Sequence, residues 1–170
     1  SPALTALDSM NFWIMSSKEV LTRAISMVDV VLLNEAEVRL YAGETNTLRA
    51  AQAILDLGPT AVVVKRGQYG SALVTRGDRL GERLFVLPAY PVATVVDPTG
   101  AGDTFAAGFM GHLARTGDLT VGGLRRAVAV GTIVASFTVE DFSIDRFRTL
   151  RREEIAERYD EFRRITHYDP

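Results

Sequence analysis

The run Asp97-Pro98-Thr99-Gly100-Ala101-Gly102-Asp103 concentrates the groups best suited to chemistry in this sequence. Gly100 and Gly102 let the backbone approach a ligand closely and take up dihedrals that other residues avoid. The apolar run Ala93-Thr94-Val95-Val96 precedes them and a helical pattern follows, so they mark a strand-to-helix turn. A helix start leaves N–H groups unpaired and carries the positive end of the helix dipole. Together these features make an anion site that suits a phosphate without needing a lysine. Asp103 stands at the mouth of that site. A carboxylate beside a phosphate is electrostatically unfavourable and needs a reason. It either accepts a proton from a hydroxyl attacking phosphorus or caps the helix, where Asp is favoured.

Two further patterns carry possible function. Asn34 and Glu37 stand three apart at a strand-to-helix junction, the spacing of a capping box. Lys65-Arg66-Gly67-Gln68-Tyr69-Gly70 follows an apolar run and reads as a loop between two strands. Lys65 has the reach to meet a phosphate, although a lysine at a strand end is ordinarily solvated. Other readings of the glycines fail. A dinucleotide fingerprint needs a third glycine where Phe105 stands, which sets aside a redox dinucleotide domain, and a P-loop needs a Gly-Lys pair that does not occur. There is no Gly-x-Ser-x-Gly elbow. His112 and His167 lack ligand spacing, so no zinc site is expected and both read as helix-surface residues.

The elements that must position these groups alternate. Helices are expected over about Ser16–Met27, from Asn34 to Ala42 with Gly43 as the stop, and over Thr47–Leu57. Strands are expected at Val30–Leu33, Ala61–Val64, Ser71–Thr75, Leu84–Pro88 and Ala93–Val96. Long helices follow at about Gly102–Arg115 and Gly122–Phe137. A surface helix spans Arg151–Arg164, with Ile155, Tyr159 and Phe162 on one side. Trp13, with Phe12 and Ile14, has the character to line a ligand pocket, although core is the ordinary place for such residues and the expectation for all three. Alternating strands and helices give an α/β class.

Composition narrows the function classes. The chain has 170 residues, 47% of them hydrophobic and 24% charged, with a net charge of -2. That balance argues against a broad nucleic-acid surface. With no cysteine, disulfides and thiolate chemistry are excluded. No stretch approaches the ~20 apolar residues that span a bilayer, so no membrane partner is expected and a cytoplasmic location is.

Asp97 to Asp103, continuing through Thr104-Phe105 to Gly108-Phe109, resembles the C-terminal signature of the ribokinase-like (PfkB) carbohydrate kinases, with Pro98 where that family usually has Thr. Asn34-Glu35-Ala36-Glu37 matches its Asn-x-x-Glu, Gly67 and Gly70 its Gly-x-x-Gly loop, and Asp8-Ser9-Met10-Asn11 its upstream Asp-x-Asn stretch. The resemblance runs from about Ala6 to Arg148. It implies a doubly wound, mostly parallel sheet flanked by helices. It implies an ATP-dependent phosphotransferase acting on a sugar or nucleoside hydroxyl, with ATP and Mg²⁺ and, in some members, K⁺. Asp103 would be the general base, and the N–H groups of Gly100, Ala101 and Gly102 the anion hole. Thr99, Lys65, Gly67, Gly70, Gly131 and Ala135 would lie at the nucleotide, the last two leaving room for the purine or else allowing close helix packing. Asn34 and Glu37 would belong to the Mg²⁺ network, and Asp97 with Thr99 would hold the monovalent cation.

On this reading residues 1–150 are the nucleotide-binding and catalytic half of a ribokinase-like domain, and 151–170 its C-terminal helical tail. The family's N-terminal Gly-Gly motif, β lid and most acceptor contacts have no counterpart in the sequence. The expectation is therefore a segment of a longer kinase, inactive by itself and able to form a homo-oligomer. The alternative is a non-catalytic nucleotide-binding or regulatory module of the same fold.

Overall fold

The computed structural model describes residues 2–167; residue 1 and the last three residues of the expected 151–170 tail lie outside the described part. Five strands form one sheet in sequence order: β1 (Ala6–Asp8), β2 (Val30–Asn34), β3 (Ala61–Lys65), β4 (Ser71–Thr75) and β5 (Leu84–Leu87). The first three are parallel and β4 runs antiparallel to β3. Helices α1 (Asn11–Ser16) and α2 (Lys18–Ile25) join β1 to β2, and α3 (Glu35–Ala42) and α4 (Thr47–Leu55) join β2 to β3. This is the mostly parallel α/β sheet that the alternating pattern implies.

The packing divides into two compact units. Residues up to 67 with 71–86 make one, and 68–70 with the residues from 87 onward make the other. In the first unit β2 and β3 are buried on both faces, which is why Val30–Leu33 and Ala61–Val64 are unbroken apolar runs. Val31, Leu33, Val62 and Val64 point to one face and pack in a core with Leu21, Ile25, Val38, Ile54 and Leu55 from the helices. Gly43 ends α3 at φ 66°, the left-handed conformation that glycine adopts at low cost. A short helix, α5 (Leu80–Arg83), sits between β4 and β5.

In the second unit α6 (Ala101–Thr116) lies against α7 (Val121–Thr138) so closely that a methyl group on Gly108 would come within 3.1 Å of Gly131 Cα. Helix α8 (Arg152–Thr166) buries Phe162, with Ile155 and Tyr159 half-buried beside it. Arg158 of α8 stacks its guanidinium 3.6 Å from the Phe137 ring centre and pairs with Glu140 at 2.7 Å.

Three expectations need correction. Residues 93–96 form no strand: Val95 and Val96 are 58% and 57% exposed, and the Val96 N–H makes one bond, to Val139 O at 2.7 Å. An apolar, β-branched run favours an extended chain, but a strand needs a neighbour to complete its ladder. Phe12 and Trp13 are not core. They stand out from α1 while Ile14 alone turns inward. His112 is no surface residue, because both of its ring nitrogens are buried without a hydrogen-bond partner.

Candidate active site

The expected site residues fall into two groups, one in each unit. In the second unit the chain descends from Asp97 into the start of α6. Asp97 Oδ1 accepts the Thr99 N–H at 2.9 Å, closing a small turn. That bond, the Thr99 hydroxyl and the Ser143 N–H hold the Asp97 carboxyl below the usual carboxylate range. Gly100 is the N-cap of α6 with φ 79°. It offers no side chain to the helix, and the conformation itself favours glycine.

The capping reading of Asp103 therefore fails: Asp103 is the third residue of the helix, and no side chain caps α6. Its carboxylate is exposed and, among the described residues, has no hydrogen-bond or ion-pair partner. The expected anion hole also changes in detail. The Ala101 N–H already donates to Pro98 O at 3.2 Å. The N–H groups of Gly100, Gly102 and Asp103 are the ones left without a protein acceptor among the described residues. These donors and the dipole end of a 16-residue helix face outward beside Asp103.

Next to them lies a cleft of about 320 Å³ lined by Asp97, Thr99, Gly100, Thr104, Thr138 and the segment Phe142–Ile144. Thr138 is 2% exposed, and its hydroxyl has no partner although it lines this cleft. Ser143 takes φ 54°, a strained value for a residue other than glycine. Nothing in the sequence pattern distinguished Thr138 from the other small residues of α7.

Gly131 faces α6, where a methyl group would lie 2.8 Å from Phe105 O, so close helix packing accounts for that glycine. Ala135, one turn later, is half-buried. Gly70 has φ 89°, and a Cβ there would overlap Leu87 O at 2.0 Å, which forces glycine twice over.

In the first unit Asp8, Asn34 and Lys65 lie at the carboxyl ends of β1, β2 and β3, where open α/β sheets bind ligands. Register pairs Asn34 with Lys65 and Asp8 with Leu32, so all three residues belong to one face of the sheet. Asn34 and Glu37 form the full capping box. The Glu37 N–H donates to Asn34 Oδ1 at 2.9 Å, and the Asn34 N–H donates to Glu37 Oε2 at 2.8 Å. Glu37 is buried. The box leaves Asn34 Nδ2 and Glu37 Oε1 outside it. Lys65 does not stand free in solvent; its Nζ pairs with Asp8 Oδ2. Gly67 opens a 3₁₀ turn (Gly67–Tyr69) at φ 55° with open space around it.

Among the described residues no group of three or more His, Cys, Asp or Glu could cage a metal ion. Mg²⁺ held chiefly by phosphates and water needs only one or two carboxylates, which Glu37 can supply. No helix among the described residues is long and apolar enough to cross a membrane.

A model of the pfkB family carbohydrate kinases matches residues 7–146. A cytidine kinase of Thermococcus kodakarensis is 32% identical over 100 residues, covering 58% of this chain and 34% of the relative. A nucleoside kinase of Methanothermobacter thermautotrophicus is 32% identical over 127 residues, covering 75% and 37% respectively. Among solved structures, Arabidopsis thaliana ribokinase complexed with ribose and ATP matches with a TM-score of 0.72 at 25% identity, over 91% of this chain and 46% of that one. The chain thus spans about a third of the length of these curated relatives and about half of the solved structure.

Proposed function

This chain belongs to the pfkB family of carbohydrate kinases, and from that premise we propose that it carries the nucleotide-binding and catalytic part of an ATP-dependent phosphotransferase. The acceptor is the hydroxyl of a sugar or nucleoside, the substrate classes named in its relatives. The observation that carries the reading is the start of α6: an uncapped helix end whose Gly100, Gly102 and Asp103 N–H groups face outward beside an unpartnered carboxylate. Donors of that kind stabilise charge on a transferring phosphoryl group. Asp103 takes the acceptor's proton as its oxygen attacks phosphorus.

Mg²⁺ bound with the nucleotide would supply neutralisation of the phosphate charge. Asn34 and Glu37 would help to hold it, Glu37 through the carboxylate oxygen that the capping box leaves outside. A K⁺ ion suits the cleft beside α6. The ionised Asp97, Thr99 and the orphaned Thr138 hydroxyl would supply the oxygen ligands a hard cation needs.

The chain covers 34% and 37% of its curated relatives; on this reading the residues that orient the acceptor lie in the part it does not cover, and orientation supplies much of the rate. The isolated chain is accordingly close to inactive. The test is ATP turnover against a panel of sugars and nucleosides, using the polypeptide that joins this chain to the remainder of a full-length relative. Transfer to at least one acceptor is expected. ATP binding with no transfer to any of them would favour the non-catalytic module instead.

A further inference from the structure

Lys65 is an outlier in this chain. The sequence has two lysines, Lys18 and Lys65, among 19 cationic residues. Lys18 lies over the Tyr41 ring at 5.1 Å, on the outside of α2. Lys65 instead ends β3 with its side chain only 15% exposed and its ammonium on Asp8, 57 residues away in sequence. The pair links the ends of β1 and β3, the strands on either side of β2 and its terminal residue, Asn34.

The geometry of Asp8 is that of a holder. Its Oδ1 accepts the N–H of Ser9 at 2.8 Å, which orients the carboxylate and presents Oδ2 to Lys65. The neighbouring cation, Arg66, is held differently. It approaches Glu35 at 3.6 Å, and Glu35 also accepts from Arg39 at 3.2 Å and from the Thr47 hydroxyl at 2.8 Å. Glu35 is thus a shared hub within the helices, whereas Asp8 is committed to one cation. An ammonium has three donors. Asp8 is the sole partner of Lys65 among the described residues, so two donors remain to be offered at the carboxyl ends of the strands.

We propose that Asp8 is a positioning residue for Lys65: it holds the ammonium beside Asn34 while no nucleotide is present and releases it to a nucleotide phosphate on binding. A partly exposed ion pair is weak, and a phosphate presents more charge and more acceptor oxygens than a carboxylate. The exchange therefore runs toward phosphate without breaking anything strong. Lysine suits this part better than arginine, because a compact point charge on a flexible stem can change partners where a bidentate fork would stay bound. The inference rests on the nucleotide-binding reading given above.

Two lysines make the test direct. The side-chain ammonium signals of Lys65 and Lys18 are followed by nitrogen-detected NMR on the 170-residue chain, in wild type, Asp8→Asn and Asp8→Glu. Without nucleotide, Asp8→Asn shifts the Lys65 signal, Asp8→Glu restores most of it, and Lys18 stays put as the folding control. On adding MgATP the wild-type Lys65 signal moves, and it converges on the position found in Asp8→Asn with MgATP. In parallel, Lys65→Met weakens ATP about tenfold, the size of one charge-assisted hydrogen bond, while AMP loses much less. If MgATP binds, as its own phosphorus signals report, yet Lys65 remains on Asp8, the handover is wrong and the nucleotide reading survives. If millimolar MgATP binds to no variant, wild type included, both fall together.

Discussion

Two helix starts in this molecule follow the same plan and end differently. In α3 the N-cap is Asn34 and the third helical residue is Glu37; in α6 the N-cap is Gly100 and the third is Asp103. At the first, the side chains of cap and third residue close on each other's backbone, and Glu37 is buried. At the second, a glycine with φ 79° has nothing to return, and the acid faces water. An acidic residue at the third position is therefore not evidence of a role by itself. Whether it stabilises the fold or stays available for a ligand is decided by the residue three places earlier.

The sharpest way to break this comparison is to neutralise both acids. Asp103→Asn should lower turnover of the assembled kinase by about 10²–10⁴-fold, the range of general-base catalysis. The thermal midpoint of the chain should hardly move, because the carboxylate has no protein partner. Glu37→Ala should do the opposite in denaturant melts, losing about 1 kcal/mol of stability as the capping box is removed. Near-normal turnover in Asp103→Asn would end the assignment of that residue.

Next come the caps themselves. Asn34→Ala removes a cap and should lose about 1 kcal/mol. Gly100→Ala meets no atom within 4 Å, so its effect is conformational alone. A left-handed alanine is disfavoured by roughly 1–2 kcal/mol, and the anion site should loosen with it. Calorimetric unfolding measures the first effect and nucleotide affinity the second.

A smaller change is expected at the cleft beside α6. Thr138→Val keeps the shape and removes the orphaned hydroxyl, so it should reduce K⁺ stimulation of turnover several-fold while stability is held or improved. Potassium titrations of the two proteins decide this. An unchanged K⁺ response would remove Thr138 from the cation site.

The smallest effect is one of pH. Burial and the charges of Arg115 and Arg126 push His112 below its ordinary 6.5. The folded state then binds fewer protons than the unfolded chain in the window just under 6.5. The stability this reflects is present above that value and is lost as pH falls toward the folded-state pKa. Urea melts across this window should show the slope, and His112→Gln should flatten it.

The parts that were legible in sequence are those set by local pattern. Val30–Leu33 and Ala61–Val64 had to be strands covered on both faces, and Gly100 and Gly102 had to mark a turn into a helix. Most of the corrections involve partners distant in sequence. Val95 and Val96 end an apolar run that reads as a strand, but no local rule supplies the neighbour they lack. The pairing of Lys65 with Asp8 spans 57 residues, so the sequence left the lysine between a phosphate contact and plain solvation and did not show its carboxylate partner. The buried Thr138 hydroxyl looked like any small residue of a tightly packed helix. Glu37 was readable as a capping acid and Asp103 as a base or cap, and only the backbone angle at Gly100 separated them.

The exposed side of α1 has a practical consequence. Trp13 is the sole tryptophan, 50% exposed, with Phe12 edge-on to it at 5.1 Å. The emission of this protein therefore comes from one indole open to water, a few residues past the end of β1. Its spectrum should be red-shifted and readily quenched by acrylamide. Any polypeptide that settles over α1 will register as a blue shift with loss of quenching, without a label having been attached.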